Sequence, residues 1–222
     1  SISKKKHSSD VYIKKIIHKK SNSLIFIKTK GITKSFLIKK NLFPYLDNIL
    51  SSVALISEFY NLKYVDKKIF YNFKLPYSRG DKVKIKLKNK DIFLTDESYN
   101  SNPLSLKFAI EKFNNQNDNK KYLLLGDMLE LGKFSKKLHK NISKIINKTS
   151  INKVYVHGKH IKETFYAVDR NKRGQILRDK KEIYQLIKND LKNNDHLMIK
   201  ASNSTDLNKI TANIKKGKIY AL

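Results

Sequence analysis

From Asp10 to about Lys40 the apolar residues recur with a period near two. Val11, Ile13 and Ile16–Ile17 lead into a polar turn at Lys19–Ser23. Leu24–Ile27 follow, and a second turn around Gly31 precedes Phe36–Ile38. Alternation of this kind predicts an antiparallel three-stranded meander, because successive strand residues face opposite sides. Residues 46–60 change to helical spacing, with Leu46, Ile49, Leu50, Val53, Leu55 and Ile56 in one apolar stripe. A second short helix is expected over Val65–Tyr71. The stretch LPYSRGD, holding Pro76 and Gly80, is the expected junction between a first domain at 1–77 and a second at 78–222.

After the junction short apolar runs alternate with helical patterns. Strands are expected at Val83–Leu87, Asp91–Thr95, Tyr122–Leu125, Val154–Val156 and His196–Lys200. Helices are expected at Leu104–Phe113 behind Pro103, Ser135–Asn147 with Ser135 as N-cap, Ile161–Val168, Lys180–Lys192 and Thr205–Ile214. Such alternation indicates an α/β, doubly wound domain with a mostly parallel sheet covered on both faces.

Composition changes this picture little. At about 150 residues per domain, 222 residues suggest roughly one and a half domains. The hydrophobic fraction of 40% suffices for an ordinary core. With no cysteine, disulfides, thiolate metal sites and a Cys nucleophile are excluded. No apolar run approaches the roughly 20 residues of a membrane span, so no stable membrane insertion is expected. The net charge of +29 invites a nucleic-acid reading. However, only four basic residues are Arg (Arg79, Arg170, Arg173, Arg178), and the lysines are spread along the whole chain. Abundant Lys, Ile and Asn with scarce Ala and Gly is the signature of AT-rich codons, so the charge is read as background and no nucleic-acid partner is expected.

Ligands of doubly wound sheets bind beyond the carboxyl ends of the strands. Three polar segments belong there: Thr95–Pro103 (TDESYNSNP), Gly126–Gly132 (GDMLELG) and Lys200–Ser204 (KASNS). Together they offer carboxylates, amides, hydroxyls and a lysine, a set suited to a small ligand carrying both ammonium and carboxylate. In this order and spacing the three segments resemble the C-terminal part of the Mur ligases, whose patterns are D-D/E-S-Y-N-A-N-P, G-D-M-x-E-L-G and K-G-S-N-S. Ser78-Arg79-Gly80 is similar to the Gly-Arg at that family's domain junction. The resemblance covers 78–222 well and 10–77 more loosely, as the end of the family's central ATPase domain.

The resemblance implies a Rossmann-like second domain and an ATP-dependent amide ligase of cell-wall precursor synthesis, cytoplasmic and monomeric. ATP with Mg²⁺ would activate a peptide carboxylate for attack by an amine. Tyr99-Asn100-Ser101-Asn102-Pro103 is similar to the type that adds D-alanyl-D-alanine to UDP-N-acetylmuramoyl-tripeptide. Carried over by position, Asn48, Arg79, Glu97 and Asn100 belong to the nucleotide side. Asn102, Asp127, Glu130, Lys200, Ser202 and Ser204 belong to the side of the incoming dipeptide. No covalent enzyme nucleophile and no protein-held metal are implied within this stretch.

The departures also matter. Leu42–Asp47 lacks the family's histidine, and Ala201 replaces a glycine. The phosphate-binding loop G-x-x-G-K-S/T is missing, and Gly31–Ser35, inside the expected meander, does not supply it. The sequence therefore reads as a C-terminal portion, not competent alone. The alternatives are a stand-alone, non-catalytic ligand-binding domain of this type and, behind it, a basic nucleic-acid-binding protein. His139 on its amphipathic helix, and His157 and His160 about Gly158, are expected to be structural.

Overall fold

Leu46, Ile49, Leu50 and Val53 recur at the spacing of one helix face, and in the structure they bury that face of a helix against a small sheet. The computed structural model describes residues 1–4, 8–74, 77–116 and 120–219. Two compact units are found, Ser1–Lys74 and Leu75–Leu222. The division falls at the start of LPYSRGD; Pro76 of that stretch lies outside the described residues.

In the first unit, strands β2 (Val11–His18), β3 (Asn22–Thr29) and β4 (Ile32–Lys39) form the expected antiparallel meander, and β1 (Ile2–Ser3) adds in parallel to β2. Ser23, Ile25, Ile27 and Thr29 of β3 alternate onto the buried face, beneath helix α1 (Leu46–Phe59). Gly31 lies in the β3–β4 turn with φ of 78°, after Lys30 at 47°, so this glycine turns a hairpin and cradles no phosphate. Two expectations fail here. Leu55 is 63% exposed. It stands nine positions beyond Leu46, half a turn round the helix from the buried face. Val65–Tyr71 is not a helix; a single 3₁₀ turn at Leu62–Tyr64 precedes a run of turns. There the side chains of Asn61 and Asp66 accept from the backbone N–H of Lys63 and Lys68 at 3.0 and 2.9 Å. These local bonds compete with helical ones.

The second unit holds a six-stranded sheet in the order β5-β6-β10-β7-β8-β9. These strands span Asp81–Lys86, Asp91–Glu97, His196–Lys200, Lys121–Gly126, Lys153–His157 and Arg173–Ile176 respectively. Only β5 runs antiparallel to its neighbour; the other pairs are parallel. Helices α2 (Pro103–Asn114), α3 (Ser135–Asn147) and α4 (Lys162–Ala167) follow β6, β7 and β8. Leu106, Ile110, Ile142, Ile146 and Ile161 pack there against Leu123, Leu125, Val154 and Val156. Helices α5 (Lys180–Gln185) and α6 (Leu207–Lys215) cover the other face, where Ile183, Leu207, Ile210 and Ile214 meet Leu94, Leu124, Leu197 and Ile199. Consecutive residues Leu123, Leu124 and Leu125 thus serve opposite faces, and β7 is buried at every position. The fold is the doubly wound α/β one expected.

β7 leads to α3 on one face and the adjacent β10 to α6 on the other, so the chain changes face where these two strands end. This is the switch point at which such sheets bind ligands. Three details differ from expectation. Ser135 is not the N-cap of α3: a 3₁₀ turn at Gly132–Phe134 precedes it, and Phe134 occupies the cap without a side-chain bond. Edge strand β9 was not foreseen, because Arg173-Gly174-Gln175-Ile176 shows no alternation. Helix α5 is shorter than expected and runs on into a π-helical turn at Leu186–Asp190.

Candidate functional site

The three polar segments converge at this switch point, and the end of β10 ties the other two together. Lys200, 2% exposed, donates from Nζ to the Asn100 carbonyl at 2.8 Å. Ser202 donates its N–H to the Asp127 carbonyl at 3.0 Å. Its hydroxyl donates to the Ser101 carbonyl at 3.2 Å and accepts the Leu129 N–H at 3.0 Å. Between them Ala201 lies so close to Gly126 that a Cβ on the glycine would come within 2.6 Å of the alanine Cβ.

The two acids that end β6 have opposite environments. Asp96, 1% exposed, is fully used. Its Oδ1 accepts the Ser98 N–H at 3.0 Å and the Ser98 hydroxyl at 2.6 Å. Its Oδ2 accepts from Ser78 Oγ at 3.0 Å and Lys215 Nζ at 2.8 Å. Lys215 also reaches Asp81 at 2.5 Å, and these bonds outweigh burial to raise its pKa. Glu97 instead stands 3.8 Å from Lys200 Nζ, an ion pair without a hydrogen bond. Burial raises the Glu97 pKa, opposed by the charges of Lys200 and Lys112. Burial lowers that of Lys200, opposed by Glu97 and assisted by Arg79. Gly80, at φ of 94°, backs this carboxylate: a Cβ there would stand 2.8 Å from Glu97 Oε1 and 3.4 Å from Lys112 Nζ. The Arg79 guanidinium lies over the Tyr99 ring, 4.3 Å from its centre. Glu97 thus feels the cations Lys200 and Lys112 and, against them, the carboxylates of Asp96 and Asp81, while Arg79 adds its charge near Lys200.

Several residues expected at the ligand also have partners within the loops. Asp127 accepts the N–H groups of Lys159, His160 and Ile161 at 3.0, 2.9 and 2.7 Å, which fixes the approach to α4. Asn102 caps α2, accepting the Ser105 N–H at 2.8 Å, and Ser105 Oγ accepts the Asn102 N–H at 3.1 Å. Asn100 Oδ1 accepts the Ser101 N–H at 2.8 Å. Glu130 is exposed and left-handed, with φ of 62°, and Ser204 is exposed in the 3₁₀ turn Asn203–Thr205. Asn48 lies on the exposed side of α1 in the first unit. Sequence reasoning missed Lys112 and Lys215. Both are lysines among many, on helices outside any motif, and only the three-dimensional placement of Glu97 and Asp96 singles them out. His157 Nδ1 lies 3.0 Å from the Leu177 carbonyl, and the rings of His139 and His160 lie tilted at 33° with centroids 5.9 Å apart.

A family model described as "Mur ligase, glutamate ligase domain" matches residues 85–203. The chain belongs to the Mur ligase family. The match takes in β6 to β10, the first two segments of the switch point and the third as far as Asn203. Among proteins with a similar sequence is the UDP-N-acetylmuramoyl-tripeptide–D-alanyl-D-alanine ligase of Bacillus subtilis (strain 168). It is 28% identical over 139 residues, 61% of this chain and 30% of that protein. The ligase of the same name from Buchnera aphidicola subsp. Baizongia pistaciae is 34% identical over 130 residues, 58% of this chain and 27% of that protein. The crystal structure of a MurF ligase from Thermotoga maritima in complex with ADP superimposes with a TM-score of 0.68 at 18% identity, covering 97% of this chain and 48% of that one. MurF from Acinetobacter baumannii gives 0.72 at 16% identity, covering 95% and 46%. These structures share the fold of this Mur ligase chain, which spans about half their length.

Proposed function

We propose that this chain serves as the C-terminal part of an ATP-dependent ligase that adds D-alanyl-D-alanine to UDP-N-acetylmuramoyl-tripeptide in cytoplasmic synthesis of peptidoglycan precursors. One observation carries the reading: three segments with that ligase type's residues meet at the switch point, joined through Lys200 and Ser202. On this reading the first unit is the end of a central ATPase domain and the second is the family's Rossmann-like C-terminal domain. ATP would supply the phosphoryl group that activates the acceptor carboxylate. Arg79, over the Tyr99 ring, and Lys112, near Glu97, fit the charge of a nucleotide, and Lys200 with the Ser202–Ser204 turn fits the carboxylate of the dipeptide. Among the described residues no group of three or more His, Asp or Glu could hold a metal ion, so no step is assigned to Mg²⁺ here. Catalysis needs the phosphate-binding loop that this sequence does not contain. The charge of +29 belongs to composition, and the protein works as a monomer without nucleic acid or membrane insertion. No helix among the described residues is long and apolar enough to cross a membrane.

The test is amide chemical-shift titration of the chain with D-alanyl-D-alanine, L-alanyl-L-alanine, D-alanine and ADP. Shifts confined to 95–103, 126–132 and 200–204 with the D,D-dipeptide, and absent with the other two amino compounds, are expected. Equal response to D-alanine alone would refute the dipeptide assignment. Salt-titrated duplex DNA binding that persists at physiological salt would refute the reading of the charge.

A further inference from the structure

The loop Gly126–Gly132 carries a strained residue. Glu130 is left-handed, and a non-glycine residue stays so only where its surroundings over-determine it. Ser202 supplies two of the restraints, through Asp127 and Leu129. A third comes from outside the three motif segments. His139, 0% exposed on α3, accepts the Met128 N–H at Nε2 over 3.0 Å. Its other nitrogen, Nδ1, lies 2.8 Å from the Ser135 carbonyl, which can only accept. The two contacts define the tautomer: the hydrogen is on Nδ1, and Nε2 offers a lone pair. Thr164 of α4 grips the same residue from behind, its hydroxyl donating to the His139 carbonyl at 2.6 Å.

We propose that His139 is the positioning residue of this loop: its neutral ring holds the Met128 N–H, and its doubly protonated ring cannot. Protonation would set an N–H on Nε2 against the Met128 N–H, leaving two donors facing each other in a buried place. The environment favours the neutral ring. Burial lowers the His139 pKa, opposed by the Ser135 carbonyl and by the charges of Asp127 and Glu163, and assisted by His160. Asp127 belongs to the loop, its carboxylate on the N–H groups ahead of α4. Glu163 of α4 is paired with Lys136 of α3 at 3.7 Å. On α2, Lys107 and Glu111 line the groove with Lys144 and Lys148, toward the far end of α3. That the loop serves a ligand rests on the function proposed above; the anchoring itself does not.

Hydrogen exchange on the ¹⁵N-labelled chain tests this without any ligand. Protection of the Met128 amide should fall by up to about tenfold per pH unit as pH drops from the ordinary 6.5 of a free histidine through the lowered folded value of His139, while Leu124 in β7 keeps its protection. In His139→Gln the amide oxygen can stand in for Nε2 and does not titrate, so Met128 protection should be flat with pH. In His139→Leu it should be low at every pH. A long-range ¹H–¹⁵N spectrum should show Nε2 without a hydrogen at neutral pH. A Met128 amide indifferent to His139 ionisation, a parallel fall at Leu124, or a hydrogen on Nε2 would each overturn the proposal. Adding D-alanyl-D-alanine above and below the midpoint separates the two claims. Binding that weakens with the same midpoint supports both. A titrating anchor with no dipeptide bound at any pH upholds the anchoring and overturns the ligand assignment.

Discussion

Replacing Asp96 by Asn changes one atom of a buried carboxylate and almost none of its volume. If the amide oxygen takes the place of Oδ1, both bonds from Ser98 survive. The NH₂ group then stands where Oδ2 received Lys215 and Ser78. A hydrogen bond to a charged group contributes about 1.5–3 kcal/mol and a neutral one about 1 kcal/mol. The Ser78 hydroxyl can rotate and accept, recovering part of its share. Lys215 keeps Asp81 at 2.5 Å, so it is not left without a partner. The net cost should be about 2–3 kcal/mol, or roughly 5–10 °C in Tm for a unit of this size. Because the chain has two units, a single global transition is the wrong measure. Exchange of the Ile199 amide, at the centre of the second sheet, reports on that unit alone. Lys215→Met should couple to Asp96→Asn by about 1.5–2 kcal/mol in a double-mutant cycle. A cost below about 0.5 kcal/mol for Asp96→Asn, or no coupling, would refute the claim that this carboxylate anchors α6 to the site.

Glu97→Gln combined with Lys200→Met removes a desolvated pair with no hydrogen bond between its members, which offsets loss of the Lys200 bond to the Asn100 carbonyl, so stability should hold within about 1 kcal/mol while anion and dipeptide binding is lost, read by urea unfolding and shift titration. Ser101 Oγ is buried without a partner among the described residues, so Ser101→Ala should raise stability by about 1 kcal/mol in the same unfolding assay. Gly80→Ala, at φ of 94° and with a Cβ 2.8 Å from Glu97 Oε1, should lower it by about 1–3 kcal/mol. The pH dependences have opposite signs. The lowered pKa of His139 gives stability that is complete above its ordinary 6.5 and lost as pH falls through the folded value. The raised pKa of Glu97 gives stability that is present below its ordinary 4.5 and lost as pH rises through the folded value. Stability profiles from pH 4 to 8 for His139→Gln and Glu97→Gln should each lose one of these slopes.

Much of this architecture is legible in the chain because patterning and burial agree. Ile25 and Ile27 alternate onto a buried face, and Leu123, Leu124 and Leu125 mark a strand covered on both sides. The convergence of the three segments also follows from the sequence, since strand ends of a doubly wound sheet meet at one edge. What stays hidden is how each side chain is used. Asn102 and Asp127 look like ligand-binding groups, yet a cap and a row of backbone N–H groups already engage them. Local bonds likewise override the apolar spacing of Val65–Tyr71, where Asp66 bends the chain. Leu55 shows the limit of counting: a stripe drawn through neighbouring apolar residues ran past the face that the sheet covers.

The pleat of β6 explains why adjacent acids came to differ. Consecutive residues of a strand face opposite sides, so Asp96 and Glu97 cannot share an environment. In the parallel register Asp96 pairs with Ile199 and Glu97 with Lys200. Asp96 therefore turns with Ile199 toward the face that α6 covers, where Lys215 meets it. Glu97 turns with Lys200 toward the other face, where Lys112 of α2 adds to its field. One acid is consumed in holding a helix. The other is held close to a buried lysine without bonding to it, each shifted against its charged form. A fold under pressure for stability alone would replace such a pair with apolar residues. Its place at the switch point, at the meeting of all three segments, is the physical ground for reading Glu97 and Lys200 as the charges the site keeps for a ligand.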